Sequence, residues 1–163
     1  MEGVALLDDL KRELTKYHRK YRHPDLADLT PSDLYALFPE DAEPLATMRW
    51  DQQWPNSDHG GVYLIFNKTG KLLYVGKAWI IGHRLSSYFR YPQPRGEGNR
   101  CEIVHRWTDN PTDRPMYIAT VAVPDESKFE AAALEEYLIR ELKPLVNERR
   151  LPLMDAVNLE ARN

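Results

Sequence analysis

Five polar side chains crowd into residues 60–88: Tyr63, Tyr74, Lys77, Arg84 and Tyr88, with Gly61 and Gly76 among them. Arg84 and Tyr88 are four apart, so on a helix they share a face. A planar guanidinium beside a phenol hydroxyl is what a phosphate site needs. The two glycines let backbone approach closely beside the tyrosines. Each residue alone has a duller reading, because a strand tyrosine is ordinarily half-buried core and Lys77 and Arg84 would be solvated charges.

The elements that must hold these groups are written in the same stretch. Residues 62–66 form an unbroken β-branched and aromatic run, and 72–75 pair with it across the Asn67-Lys68-Thr69-Gly70 turn. Residues 78–89 follow as a helix with Ile80, Ile81, Leu85 and Phe89 roughly on one face, leaving Arg84 and Tyr88 on another.

Upstream, Val4, Leu7, Leu10, Leu14, Tyr17 and Tyr21 mark a helix over 4–21 with one apolar stripe. Residues 25–31 break it. Thr30 then reads as the cap of a second helix, with Pro31 in its first turn, continuing through Leu34, Leu37 and Phe38 to Pro39. Residues 40–59 are irregular, with Trp50, Trp54 and Pro55 as anchors. Downstream, 91–106 is a loop rich in Pro, Gly and Arg, 103–107 a short apolar segment and 115–123 a third strand. Ser127 is the expected cap of a long helix to Leu142, which Pro144 terminates, and 151–163 can add a short helix.

The expected fold is α+β: a small three-stranded mixed or antiparallel sheet flanked by helices, with an amino-terminal helical extension. Residues 1–59 form that extension, 60–150 the core with an insertion near 91–106, and 151–163 a tail. The extension is either an added helical layer or a surface for a protein partner or self-association.

At 163 residues the chain is expected to form one domain without disulfides, and its single Cys101 cannot pair internally, which fits a cytoplasmic protein. No apolar run approaches the ~18 residues of a membrane span, and the acidic start does not read as a signal peptide. The net charge of -3 argues against a nucleic-acid partner until its distribution is considered. Residues 68–106 hold eight Lys/Arg against two acids, whereas 1–60 hold seven against twelve. Positive charge is segregated onto the stretch that carries the polar cluster.

Gly61-Val62-Tyr63, then Tyr74-Val75-Gly76-Lys77, then Arg84 with Ser87-Tyr88, resembles the signature of the GIY-YIG nucleases, in the variant found in the amino-terminal nuclease domain of the bacterial repair excinuclease. Leu134-Glu135-Glu136-Tyr137-Leu138-Ile139 supplies the family's glutamate helix, with Glu135 at the glutamate position and Asn147 at the asparagine position. The chain departs from the pattern in being longer between Tyr88 and Glu135, and in having Tyr74 one residue later, which reads as a longer hairpin turn.

The resemblance implies a metal-dependent endonuclease for DNA, of repair type. Glu135 would be the metal ligand for Mg²⁺ or Mn²⁺, Tyr63 the general base, Arg84 the phosphate clamp, Lys77 an aid to Tyr63, and Tyr74 and Tyr88 positioning hydroxyls. Gly61, Gly76 and Asn147 would be structural, Asn147 tying the glutamate helix to the sheet. Arg90, Arg95, Arg100 and Arg106 would contact the nucleic-acid backbone. The competing readings are a nucleic-acid-binding or repair accessory module with little independent cleavage, and an interaction domain led by the amino-terminal helices. A stretch of 163 residues is expected to be too short to hold the further domains of a full repair excinuclease.

Overall fold

A computed structural model describes residues 2–37, 53–89 and 113–147, with side chains from Leu7 onward. Its elements are α1 (Glu2–Tyr21), β1 (Tyr35–Ala36), β2 (Gly61–Phe66), β3 (Leu72–Ala78), α2 (Ile81–Tyr88), β4 (Tyr117–Ala122) and α3 (Glu130–Leu142), with a 3₁₀ turn at Asp125–Ser127. The strands form one antiparallel sheet in the order β1-β4-β2-β3, so the architecture is α+β.

Every residue of β2 is buried because both faces of the sheet are covered. Val62, Leu64 and Phe66 pack toward Leu10, Leu14 and Tyr17 of α1 and Leu134 and Leu138 of α3. Tyr63 and Ile65 point the other way, into a cluster with Trp54 and with Ile81, Leu85 and Phe89 around α2. The strand period of two therefore assigns each β2 side chain to one of two cores. The apolar stripe of α1 is spent inside this chain, and Glu13 is buried there with it, accepting hydrogen bonds from Lys16 Nζ at 2.8 Å and Tyr137 Oη at 3.1 Å.

Three local expectations are corrected. The second helix, expected from Thr30 to Phe38, does not form over the described residues 30–37: Pro31 bridges to Val121, and Tyr35–Ala36 adds a fourth strand beside β4. Ser32 explains the preference, because its N–H donates to Thr120 O and its hydroxyl accepts from Thr120 N, so a sheet edge uses the groups a helix start would need. Ser127 does not cap α3; the 3₁₀ turn precedes the helix, and no side chain caps its start. The extra residue before Tyr74 does not lengthen the turn. The register shifts between Ile65 and Phe66, leaving Leu73 as a bulge in β3.

Trp54 anchors the segment before β2, its indole N–H donating to Ser86 Oγ at 3.0 Å and its ring lying 4.9 Å from Tyr35 and 5.8 Å from Phe89. The same segment caps α2 with backbone: the Ile81 and Gly82 N–H groups donate to the carbonyls of His59 and Ser57. Trp50 and the proposed tail helix lie outside the described residues. No described helix is long and apolar enough to cross a membrane.

Candidate nuclease site

The bulge at Leu73 sets which side chains of β3 face which core. Beyond it, Tyr74 lies opposite Ile65, Gly76 opposite Tyr63 and Lys77 opposite Val62. Paired residues of an antiparallel ladder share a face. Tyr74 and Gly76 therefore join Tyr63 on the α2 side, while Lys77 is on the α3 side.

On the α2 side, Tyr63 is 1% exposed and its hydroxyl donates to that of Tyr88 at 3.1 Å. The Tyr63 ring lies 6.1 Å from that of Tyr74 and 5.9 Å, edge-on, from that of Tyr88. Gly76 makes this fit. A Cβ there would sit 2.4 Å from Tyr63 Oη and 2.7 Å from Tyr74 Cε1. Gly61 is required for a different reason, since its Cβ would fall 2.1 Å from the Val121 carbonyl oxygen. Arg84 is exposed one helical turn before Tyr88, its guanidinium 5.9 Å from the Tyr88 ring centre.

On the α3 side, Glu135 takes two hydrogen bonds from one residue: the Lys77 N–H at 3.0 Å and the Lys77 ammonium. Glu136 is exposed on another face of α3. Asn147 accepts from Val75 N at 2.9 Å and donates to Val75 O at 3.0 Å. These contacts have one physical origin. β3 is an edge strand, and its outward backbone groups at alternate residues 75 and 77 would otherwise be unpaired. Asn147 and Glu135 satisfy them. The two halves of the site thus lie on opposite faces of the sheet and meet around the Gly76–Lys77 peptide.

Burial, first, and then its bond to Tyr88 and the neighbouring tyrosines push the Tyr63 phenol well above its ordinary range, while Arg84 pulls the other way. The Lys77 ammonium is bonded to Glu135, on the other side of the sheet from Tyr63. The donor set fits a hard divalent cation. It offers one carboxylate beside an exposed edge, and no group of three His, Cys, Asp or Glu that could hold a metal occurs among the described residues. A cation of this kind keeps several waters and takes its remaining oxygens from substrate.

Arg90, Arg95, Arg100 and Arg106, and the insertion that carries three of them, lie outside the described residues. His83, read from sequence as surface, is exposed. Reasoning from sequence passed over Trp79 and Lys128. Trp79 is 69% exposed at the end of the hairpin, and a cleft of about 290 Å³ runs from it to Arg84. The available signal was a tryptophan at a strand end directly before the helix that carries Arg84.

Over residues 59–148 the chain matches the family described as the UvrC-like GIY-YIG domain. It is similar to the UvrABC system protein C of Nautilia profundicola, at 34% identity over 90 residues, which are 55% of this chain and 14% of that protein. It is also similar to the UvrABC system protein C of Chlorobium luteolum, at 38% identity over 87 residues, 53% of this chain and 12% of that one. Among solved structures it is similar to a point mutant of the amino-terminal GIY-YIG endonuclease domain of UvrC from Thermotoga maritima, bound to its catalytic divalent cation. That likeness has 28% identity and a TM-score of 0.37, and covers 58% of this chain and 87% of the other. The chain spans only 12–14% of the length of these curated relatives.

Proposed function

Because the chain belongs to the family of UvrC-like GIY-YIG domains, we propose that it is a cation-dependent endonuclease hydrolysing DNA phosphodiester bonds, in repair-type incision. The observation that carries this reading is a buried Tyr63 bonded to half-buried Tyr88, with exposed Arg84 beside the Tyr88 ring, and a carboxylate bonded to the edge strand at the Gly76–Lys77 peptide against which Tyr63 packs.

Arg84 binds the non-bridging oxygens of the scissile phosphate, its permanent charge and forked donors matching the growing charge of the transition state. Tyr63 takes the proton of the attacking water. Its phenol is neutral at rest, so it must first pass its own proton along its hydrogen bond to Tyr88 Oη while Tyr88 releases one to solvent. The proton then taken from water leaves Tyr63 neutral again. Two neighbours assist: Tyr88 can turn its hydroxyl to donate toward Tyr63, and the Arg84 charge favours the phenolate. Tyr74 and Tyr88 orient water and phosphate through their hydroxyls. Lys77 holds Glu135 against the strand edge and, once released, adds positive charge beside the phosphate. When bound at Glu135, a divalent cation such as Mg²⁺ or Mn²⁺ supplies Lewis acidity toward the phosphate oxygens.

Arg90, Arg95, Arg100 and Arg106 extend the phosphate-binding surface in this reading. Residues 60–150 are the nuclease core, 1–59 an extension whose helix α1 packs on that core and whose strand β1 joins its sheet, and 151–163 a tail. Its place of action is the cytoplasm, in keeping with the lone Cys101. The test is a cleavage screen over linear, nicked, flapped and single-stranded DNA with Mg²⁺ or Mn²⁺. Metal-dependent cuts in at least one substrate, absent in Glu135→Gln although DNA is still bound, are the expected result. Cleavage by Glu135→Gln at the wild-type rate would remove the metal assignment, and no cleavage by wild type under any condition would remove the enzyme.

A further inference from the structure

We propose that the cleft between Trp79 and Arg84 is a nucleobase subsite, in which the base of a nucleotide flanking the scissile phosphate stacks on the Trp79 indole. The inference rests on the nuclease reading above, because it takes Arg84 as the phosphate clamp.

Four observations carry it. Trp79 is a large aromatic side chain that the fold leaves 69% exposed, where burial would contribute on the order of 2–3 kcal/mol to a core. The cleft beside it, about 290 Å³, is lined by Ala78, Trp79, Ile80, His83, Arg84 and Ser87, so one wall is aromatic and another is the proposed phosphate clamp itself. A cation stands at the ring: Lys128 Nζ is 5.4 Å from the Trp79 centroid. That lysine is held in place, its side chain only 18% exposed and its ammonium 3.3 Å from Asp125. Asp125 partly offsets the Lys128 charge and also lies 3.8 Å from His59, so the stack rather than the charge must supply most of the binding.

An exposed aromatic face beside a backbone-binding cation is how proteins hold unpaired bases without reading their sequence. A duplex offers no free base face except at ends, nicks, flaps or flipped nucleotides. The subsite therefore selects substrates with an unstacked nucleotide next to the cut. A protein partner could also cover an exposed tryptophan, but the shared wall with Arg84 and the polar lining from His83 and Ser87 favour a nucleotide.

The experiment uses the full chain and flapped or single-stranded DNA carrying an abasic residue at each position around the cut, with affinity measured in the Glu135→Gln background and cleavage in wild type. At one flanking position the abasic substrate should bind roughly 5- to 150-fold more weakly, the loss expected for one base stack. Trp79→Ala should lose the same factor on intact DNA and nothing further on the abasic substrate. Trp79→Phe should retain most of the affinity. The slope of affinity against salt should not change in Trp79→Ala, since stacking releases no counterions. The abasic arm needs no substitution at Trp79, so a poorly folded variant does not remove the test. Independent losses from the abasic residue and from Trp79→Ala, or no loss from either, would overturn the subsite. Wild-type cleavage in that case would leave the nuclease reading standing, whereas wild type that neither cuts nor binds DNA would overturn both. Unchanged DNA binding by Trp79→Ala, together with loss of a self-association that wild type shows in sedimentation, would assign the tryptophan to a protein contact instead.

Discussion

Among the described residues, helix α3 makes two ion pairs to other parts of the chain, and they are built for opposite ends. Near its start, Glu130 meets Arg22 from the end of α1, with Nε 2.6 Å from Oε1 though poorly aligned for a hydrogen bond, and Nη2 donating to Oε2 at 3.5 Å. Five residues on, Glu135 meets Lys77 of β3. The first pair is enclosed, with side-chain exposures of 3% and 11%; the second is open, with 50% on the lysine and 16% on the glutamate. Arg22 also donates to the Ala27 carbonyl, so its charge has nowhere else to go. An enclosed pair cannot exchange partners without leaving a buried charge, whereas an open one can trade its ammonium for another cation or a phosphate. One helix therefore fastens the amino-terminal layer with one glutamate and holds the other in a pair open to exchange.

The strongest way to break this contrast is to neutralise each glutamate's pair in turn. Glu135→Gln should reduce cleavage to background, while its melting temperature stays near that of wild type, because the amide oxygen still accepts from Lys77 N–H. Thermal melts and nicking assays on the same samples decide it. Arg22→Ala should do the reverse: a loss of about 3–5 kcal/mol in stability, read from urea unfolding, with the cleavage rate of the folded protein unchanged. The matching Lys77→Ala change should cost less than about 1 kcal/mol of stability. Equal destabilisation by the two cation deletions would erase the distinction.

Arg84→Ala should lower the cleavage rate by about 10² to 10³-fold with no loss of stability, as removal of a transition-state donor does. A change below about threefold on that scale would return Arg84 to the solvated surface. The smallest expected effect is on pH dependence, at Glu13. Burial alone would raise its pKa, but hydrogen bonds from Lys16 and Tyr137, with the Arg12 charge nearby, hold it below 4.5. A depressed folded value means that its contribution is present above pH 4.5 and lost as pH falls through the folded pKa. Glu13→Gln should therefore flatten the loss of stability on acidification below pH 4.5. Burial, and after it the same bond, pushes Tyr137 up to about 12, so its contribution is complete below pH 10 and is lost as pH rises through about 12. Melting curves across pH that are identical for Glu13→Gln and wild type would remove both claims.

Much of this molecule was legible in order along the chain. The run at 62–66, the turn at Asn67 and the stripe of Leu10, Leu14 and Tyr17 each carry a period that only one element satisfies, and all formed as read. So did the helical spacing of Arg84 and Tyr88. Residues 30–38 misled because capping residues and a proline describe a helix start equally well when a sheet edge competes for the same groups, and Ser32 went to Thr120. Ser127 misled for a different reason, because its N–H and hydroxyl both turn back on the Pro124 carbonyl in a 3₁₀ turn that precedes the helix.

What sequence alone determined was which residues could take part and on which kind of element each would sit, since hydrophobic period and side-chain chemistry are local properties. It could not determine that Tyr63 and Lys77 occupy opposite faces of one sheet, because that depends on the bulge at Leu73 and the register beyond it. Nor could it determine that Glu135 and Asn147 would close the free edge of β3, or that Trp79 would be left outside the core. Those outcomes belong to tertiary structure, because a backbone group at a sheet edge takes whichever partner the packed helix brings within hydrogen-bond reach, and no local pattern records that meeting.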